Sequence, residues 1–279
     1  MTVSDDSQFP SSLHPQFAPA TRLLWSAGIL GALDGIAKAG FLAAEVWTSH
    51  ITDSGIPPFL VKKRADELGL KLSLHAPSYD LNPLSSNSEI RSLSRRLVLD
   101  SLEVAAQLEA KIAVVHPGAL SSTTDDPENY WGKLEEFVVQ LDSRATRLGL
   151  TVAIEAMEKK KLQFVTGIAS LERLAGLMVS VGARHVGICL DIAHAGTIGD
   201  PEEFLAQVPR VVHVHLSDTS EEKTHALLGE GRLDLQNIIP KLLEKMKNST
   251  GFIVIEGRLA SDEPRAIAVA AKYLEQFTS

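Results

Sequence analysis

A short apolar segment followed by a longer amphipathic one recurs along this chain, and this repeat constrains the fold more than any other feature. Each apolar segment has five to seven residues, mostly Val, Ile, Leu or Ala. Such segments are typical of strands that are buried on both faces of a parallel sheet. The predicted strands span residues 22–27, 41–47, 71–75, 111–116, 150–155, 185–191, 210–215 and 251–256.

Helical periodicity occupies the segments between the predicted strands. It is clearest over residues 88–109 and recurs over 57–68, 131–148, 171–181, 201–208, 235–246 and 263–277. Strands that alternate with helices, without a break in composition, predict a single α/β domain over residues 21–279. We expect a (β/α)8 TIM barrel, with an open doubly wound sheet as the alternative. Residues 1–20, which are rich in Ser and Pro, are predicted to form a flexible N-terminal arm.

The charge and the hydropathy of the chain argue against several classes of protein. Hydrophobic residues make up 44% and charged residues 22% of its 279 residues, as in ordinary globular proteins. No apolar stretch approaches the ~18 residues of a membrane span, and the acidic start lacks the features of a signal peptide. A single cysteine, Cys189, fits a reducing compartment, so we expect a cytoplasmic protein. The net charge of −8 argues against a nucleic-acid partner, although a local basic groove stays compatible with it.

Polar residues are concentrated where the predicted strands end. In a barrel the carboxyl ends of all strands meet at one mouth, which carries the active site in such folds. Six of the nine histidines and three carboxylates belong to this set, namely His75, His116, Glu155, Asp191, His194, His213, His215, His225 and Glu256. One such histidine alone usually satisfies a local backbone group, but so many together indicate a binding site.

The carboxylates of this set would repel one another unless a cation neutralised them. We therefore expect one or two divalent metal ions per chain. Mn²⁺, Mg²⁺, Co²⁺ or Zn²⁺ would suit the carboxylate-rich group made of Glu155, Asp191, His215 and Glu256. His75 and His116, with Glu155 as a bridge, would add a nitrogen-rich site that favours Zn²⁺.

At these positions the chain resembles the xylose isomerase-like barrel superfamily, over residues 21–277. That superfamily joins sugar isomerases and epimerases with apurinic-site nucleases of the endonuclease IV type. The matching segments are His75-Ala-Pro, Val114-Val-His-Pro-Gly118, Ile154-Glu155, Gly187-Ile-Cys-Leu-Asp-Ile-Ala-His-Ala195, His213-Val-His-Leu-Ser-Asp218, His225-Ala-Leu-Leu-Gly-Glu-Gly231 and Ile255-Glu256. Each segment is a weak signal alone, whereas their occurrence in this order identifies the superfamily and leaves the activity open.

The isomerase and epimerase branch implies the leading hypothesis, a metal-dependent enzyme that acts on a small carbohydrate-like substrate. The metal, held by the carboxylate-rich group, would stabilise an ene-diolate. Glu155 and Glu256 would act as the acid/base pair that moves the proton beside the carbonyl. His194 is expected to bind a substrate hydroxyl, and Arg258 to pair with a carboxylate or phosphate end. Trp47 would either stack on a sugar face or cover the core.

The nuclease branch implies a larger zinc cluster and a different reaction, phosphodiester hydrolysis. There, positions matching His75 and His116 join Glu155 at one ion. Positions matching His194 and His225 hold another ion together with an aspartate.

Two departures from the nuclease pattern favour the isomerase hypothesis. Lys223 stands two residues before His225, where the nuclease has the aspartate, and a lysine there would repel a third cation. Ser78 stands where the nuclease has a tyrosine, with Tyr79 one position later. A third hypothesis is a protein that holds metal without catalysis, in which one glutamate of the acid/base pair would be idle.

Overall fold

Eight parallel strands form a nearly closed barrel in a computed structural model that describes residues 13–221, 223–257 and 263–277. The strands are β1 (Phe17–Pro19), β2 (Ala43–Trp47), β3 (Lys71–His75), β4 (Ile112–Val115), β5 (Thr151–Glu155), β6 (Val186–Asp191), β7 (Val211–Leu216) and β8 (Ile253–Ile255). They pair in the order β1-β8-β7-β6-β5-β4-β3-β2, and a parallel bridge between Ala20 and Glu45 joins the two end strands. The predicted (β/α)8 TIM barrel is confirmed.

Helices connect successive strands on the outside of the barrel. They are α1 (Gly28–Lys38), α2 (Thr48–Ser54), α3 (Pro58–Glu67), α4 (Ser88–Gln107), α5 (Glu128–Leu148), α6 (Ile168–Ser180), α7 (Ile192–Gly196), α8 (Pro201–Gln207), α9 (Leu235–Met246) and α10 (Glu263–Leu274). The seven helices named from the sequence are all present. The sequence analysis did not name α1, α2 and α7. Helices as short as α2 and α7 show no 3.6-residue repeat, and α1 directly follows residues that were predicted as a strand. Within the described ranges, no helix combines the length and the apolar character that a membrane crossing requires.

The first strand lies earlier in the chain than the sequence predicted. Residues 22–27, predicted as a strand, belong to a 3-10 helix that spans Thr21–Ala27. β1 instead lies inside the range that was assigned to a flexible arm, of which residues 1–12 are outside the described residues. Pro19 obscured this strand, but β1 tolerates a proline because it is an end strand and forms a ladder with β8 alone. The other strands begin and end within two residues of their predicted bounds.

Small side chains on the inward face leave room for polar groups inside the barrel. Alternate residues of a strand face the interior, and Ala18, Ala43 and Ala153 occupy such positions close to its axis. Glu45 and His213 lie beside them, and both are completely buried. The floor of the mouth is therefore polar, in contrast to the layers of branched apolar residues that usually fill such barrels.

Gly251, just before β8, tests how tightly this floor is packed. A Cβ at Gly251 would overlap the carbonyl oxygen of Val212 and lie 3.0 Å from Nδ1 of His213. We expect Gly251→Ala to lower the free energy of unfolding by about 1–3 kcal/mol through overpacking. Denaturant melts would measure the loss. Gly132→Ala in α5 is the matched control, because its Cβ would meet no heavy atom within 4 Å. An equal loss in both variants would contradict this account.

Candidate metal centre

Four predicted metal ligands meet at the carboxyl ends of the last four strands. Glu155, Asp191, His215 and Glu256 each offer one ligand atom, and these atoms all lie within 4.8 Å of one another. Nδ1 of His215 lies 2.8 Å from an oxygen of Glu256 and 3.5 Å from an oxygen of Glu155. Its distance to Asp191 Oδ2 is 3.9 Å. All four side chains are buried, and the structure brings these four predicted ligands together at the mouth.

The electrostatics of this four-residue group fit a divalent cation. Burial would raise the pKa of the Glu256 carboxyl, but the neighbouring charge of His215 outweighs it and brings that pKa to about 2. Burial raises the pKa of Asp191, and the neighbouring charges of His194 and His225 only partly offset it. The buried Oδ2 of Asp191 has no hydrogen-bond partner, and the buried Oε2 atoms of Glu155 and Glu256 face histidine rings without a well-aligned hydrogen bond. Buried groups of this kind are usually paired or bound to a metal.

A second group shares Glu155 and is richer in nitrogen. Oε2 of Glu155 lies 3.0 Å from Nε2 of His116 and 3.4 Å from Nε2 of His75. Nδ1 of His75 lies 2.7 Å from the carbonyl oxygen of Ala76, so the ring proton belongs on Nδ1. The lone pair of Nε2 therefore faces Glu155, as a metal ligand requires. Glu155 therefore belongs to both groups, and its role as a bridging ligand stays a prediction.

A third group lies on the other side of the mouth and contains Asp191, His194 and His225. Asp191 caps the start of α7 and accepts a hydrogen bond from the backbone N–H of His194 in its first turn. Nδ1 of His194 lies 2.8 Å from the carbonyl oxygen of Ala156, which leaves Nε2 free for a ligand. Lys223 is exposed in the loop before His225, so this third group lacks the aspartate of the nuclease pattern.

The loop that carries His225 is held in place by Asp218. This carboxylate is buried and accepts hydrogen bonds from the backbone N–H groups of Gly229, Gly231 and Leu233. The backbones of Asp218 and Ala226 also bond to each other in both directions. The loop therefore returns to the mouth with His225 at a fixed position.

Glu45 is a buried carboxylate next to these groups that the sequence analysis missed. It points into the barrel below the four-residue group, where its Oε2 accepts a hydrogen bond from Ser73 over 3.1 Å. The same oxygen lies 3.0 Å from Nε2 of His213, and Oε1 lies 3.2 Å from Nε2 of His215. The available signal was a carboxylate at an inward position of an otherwise apolar strand, Ala43–Trp47.

His213 belongs to this lower layer, and its prediction as a residue of the mouth is wrong. The register pairs Cys189 with His213 and Asp191 with His215, so His213 lies one layer further down. The backbone N–H of Phe252 donates to Nδ1 of His213. The ring proton is therefore on Nε2 and is donated to Glu45. Burial lowers the pKa of His213, which agrees with a neutral ring.

The structure gives Trp47 a supporting position and does not describe Arg258. The indole ring of Trp47 is 1% exposed and stacks on the ring of His75, with 4.0 Å between centroids. No open face is left on which a sugar could stack, so of the two interpretations of Trp47 the structure favours a covering role. Arg258 lies outside the described residues.

Comparison with known proteins identifies the family. The family model described as xylose isomerase-like TIM barrel matches residues 33–277, and the chain belongs to this family. An uncharacterized protein of Methanocaldococcus jannaschii is 27% identical over 276 residues, with 94% of this chain and 90% of that protein covered. A probable endonuclease 4 of Mycobacterium leprae is 26% identical, with 61% of this chain and 68% of that protein covered. Among solved structures, a D-tagatose 3-epimerase-like protein has a TM-score of 0.78 and 25% identity, covering 94% of this chain and 97% of its own.

The contact of Glu45 with His215 predicts an effect on metal affinity. A carboxylate that holds the outer nitrogen of a ligating histidine fixes its tautomer and raises its basicity. We expect Glu45→Gln to weaken the binding of Zn²⁺ or Mn²⁺ by roughly 10- to 100-fold. Competition with a chromogenic chelator would measure this affinity. The control is Glu172→Gln, which removes an exposed carboxylate of α6, and equal affinity in the two variants would refute the role of Glu45.

Proposed function

We propose that this protein is a metal-dependent isomerase or epimerase that acts on a small hydroxy-carbonyl compound such as a sugar or sugar phosphate. The observation that carries the proposal is the position of Glu155 and Glu256. Each has a carboxylate oxygen within 3.5 Å of the same ring nitrogen of His215, yet they come from different sides of the group, β5 and the end of β8. A compound bound at this group would have a base within reach on either side.

The divalent ion that fits this group would polarise adjacent substrate oxygens and stabilise negative charge as it develops on them. The residues of the chain move the proton. Burial would raise the pKa of Glu155, but the charges of His116 and His215 bring it well below the usual value, so the carboxylate is ionised and can act as a base. Glu256 is ionised for a similar reason. Either glutamate can thus remove the proton on the carbon beside the carbonyl.

The choice between isomerisation and epimerisation depends on where the proton returns. Return to the neighbouring carbon interconverts an aldose and a ketose, whereas return to the same carbon from the opposite face inverts its configuration. Two glutamates on separate strands permit the second outcome. His194, with Nε2 free, is placed to bind a substrate hydroxyl in either case. The similarity to the D-tagatose 3-epimerase-like structure supports the epimerase form of the proposal.

Replacement of Glu256 by Gln tests the acid/base role directly. We expect Glu256→Gln to lower the rate of substrate proton exchange with D₂O by about 10²- to 10⁴-fold, because an amide cannot accept the proton. NMR would follow deuterium incorporation into a panel of small ketoses and ketose phosphates at saturating Mn²⁺. The metal content of each sample would be recorded, so that loss of the ion is distinguished from loss of the base. Unchanged exchange in a metal-loaded variant would contradict the acid/base role of Glu256. No exchange above background in the unmodified, metal-loaded protein would favour a protein that binds metal without this catalysis.

A second candidate is phosphodiester hydrolysis, and one observation favours it. His75 and His116 surround Glu155 with two imidazoles that an isomerase site of four ligands does not need. Such a site suits Zn²⁺, which can supply a hydroxide nucleophile near neutral pH. The curated relative in Mycobacterium leprae is named a probable endonuclease 4, and this agrees with the second candidate.

Cleavage of a duplex that contains one abasic site separates the two candidates. Our proposal predicts no cleavage above background by the Zn²⁺-loaded protein, because the third group lacks its aspartate and the chain carries a net charge of −8. Cleavage that disappears in His116→Ala would instead establish the hydrolase. Proton exchange by the same samples provides the internal comparison.

A further inference from the structure

Arg22 lies at the rim of the mouth and has an unusual environment for an arginine that is partly buried. It follows β1, on the side where the carboxyl ends of the strands open. Its guanidinium carbon lies 4.4 Å from the centroid of the Trp47 ring and 5.3 Å from that of Tyr79. Trp47 in turn stacks on His75, which lies 3.4 Å from Glu155. One indole ring thus separates the Arg22 cation from the second metal group.

The guanidinium of Arg22 has no acceptor among the residues that the structure describes. Every other described arginine that is not exposed donates to a carboxylate or a carbonyl oxygen, as Arg64 does to Asp34 and Arg210 to the carbonyl oxygen of Val186. Within the described ranges, the guanidinium of Arg22 contacts the rings of Trp47 and Tyr79 and no carboxylate or carbonyl oxygen. A guanidinium held against aromatic faces is ordered, yet it keeps its N–H donors for an acceptor that approaches in its plane.

The negative charge of the mouth indicates which kind of ligand Arg22 would bind. Glu45, Glu155, Asp191 and Glu256 make the mouth and its floor electronegative, so an anionic substrate needs positive charge in addition to a bound metal ion. Guanidinium groups match the geometry of phosphate and carboxylate oxygens and bind them through paired hydrogen bonds. The rings of Trp47 and His75 lie between Arg22 and Glu155, so Arg22 is placed to hold the end of a compact substrate that points away from the metal.

We infer that Arg22 forms a subsite for an oxyanion, the phosphate or carboxylate end of the small substrate. The inference rests on the proposed function, since it concerns the substrate of that same mouth. Trp47 and Tyr79 position the guanidinium of Arg22. The buried indole of Trp47 thus has a structural role beside the metal groups. The substrate class becomes an anionic hydroxy-carbonyl compound.

Binding of inorganic phosphate and of malonate to the metal-loaded protein tests the subsite by titration calorimetry. We expect Arg22→Gln to weaken binding of at least one probe by roughly 10- to 100-fold, the usual effect of losing hydrogen bonds to a charged group. Arg22→Lys keeps the positive charge but loses the paired N–H donors of the guanidinium. Its affinity for the probe should lie between those of the unmodified protein and Arg22→Gln. The control is Arg184→Gln, which removes an exposed arginine that precedes β6 and lies at the opposite end of the barrel. The probe that loses affinity identifies the end group as phosphate or carboxylate.

Several outcomes would overturn the inference. Absence of binding by the unmodified protein, or equal binding by Arg22→Gln, would mean that the guanidinium only packs against Trp47. Loss of binding to an abasic duplex with no change for either small probe would assign Arg22 to nucleic acid. Melting temperature and metal content of each variant would exclude unfolding or loss of the ion as the cause. Because the assay needs no turnover, its result is independent of whether the proposed isomerase reaction is found.

Discussion

Mutual repulsion among buried carboxylates is the constraint on which the rest of this site depends. Glu155, Asp191 and Glu256 converge on one point beside His215, whose Nδ1 lies within 3.9 Å of an oxygen of each carboxylate. A buried charge that loses its partner typically costs about 3–5 kcal/mol, so this arrangement would be a liability in a protein that only had to fold. The geometry is understandable if a divalent cation is part of the working molecule, because the cation turns the repulsion into coordination.

A series of polar contacts in the lower layer of the barrel supports the ring of His215. Phe252 donates to His213, His213 donates to Glu45, and Glu45 lies against His215. The series links a backbone N–H at the floor to the ring that faces the metal group, and each step fixes the proton of the next residue. Alanines at neighbouring inward positions make the space for these polar side chains. The small residues of the strands therefore make room for the polar groups that orient His215. Groups in the outer shell of a metal site generally have this orienting effect.

Much of this structure was predictable because parallel strands have a simple geometry. Buried apolar runs indicated seven of the eight strands, and the rule that active sites lie at their carboxyl ends predicts that Glu155, Asp191 and His215 lie together. The first strand escaped because it is three residues long and ends in a proline. The depth of a residue along the barrel axis was also not predictable. The two-residue repeat of a strand puts His213 and His215 on the same side but does not say which layer each occupies.

Long-range pairs were beyond sequence reasoning for a different reason. Glu45 and His213 are 168 positions apart, and no local sequence pattern around either residue predicts their contact. The same holds for Arg22, whose ring contacts come from β2 and from the loop after β3. Such contacts depend on the closure of the barrel and on side-chain direction, so they appear only when the strands are placed in three dimensions.

The central claim, that Glu155, Asp191, His215 and Glu256 hold a divalent ion, is open to one direct measurement. The protein and its Asp191→Asn variant would be equilibrated with Mn²⁺ or Zn²⁺, separated from free ion by gel filtration and analysed for metal by mass spectrometry. The account predicts at least one tightly held ion per chain in the unmodified protein and a clear loss of that ion in the folded variant. An unmodified protein that emerges without metal, or a variant that retains as much as the unmodified protein, would contradict it.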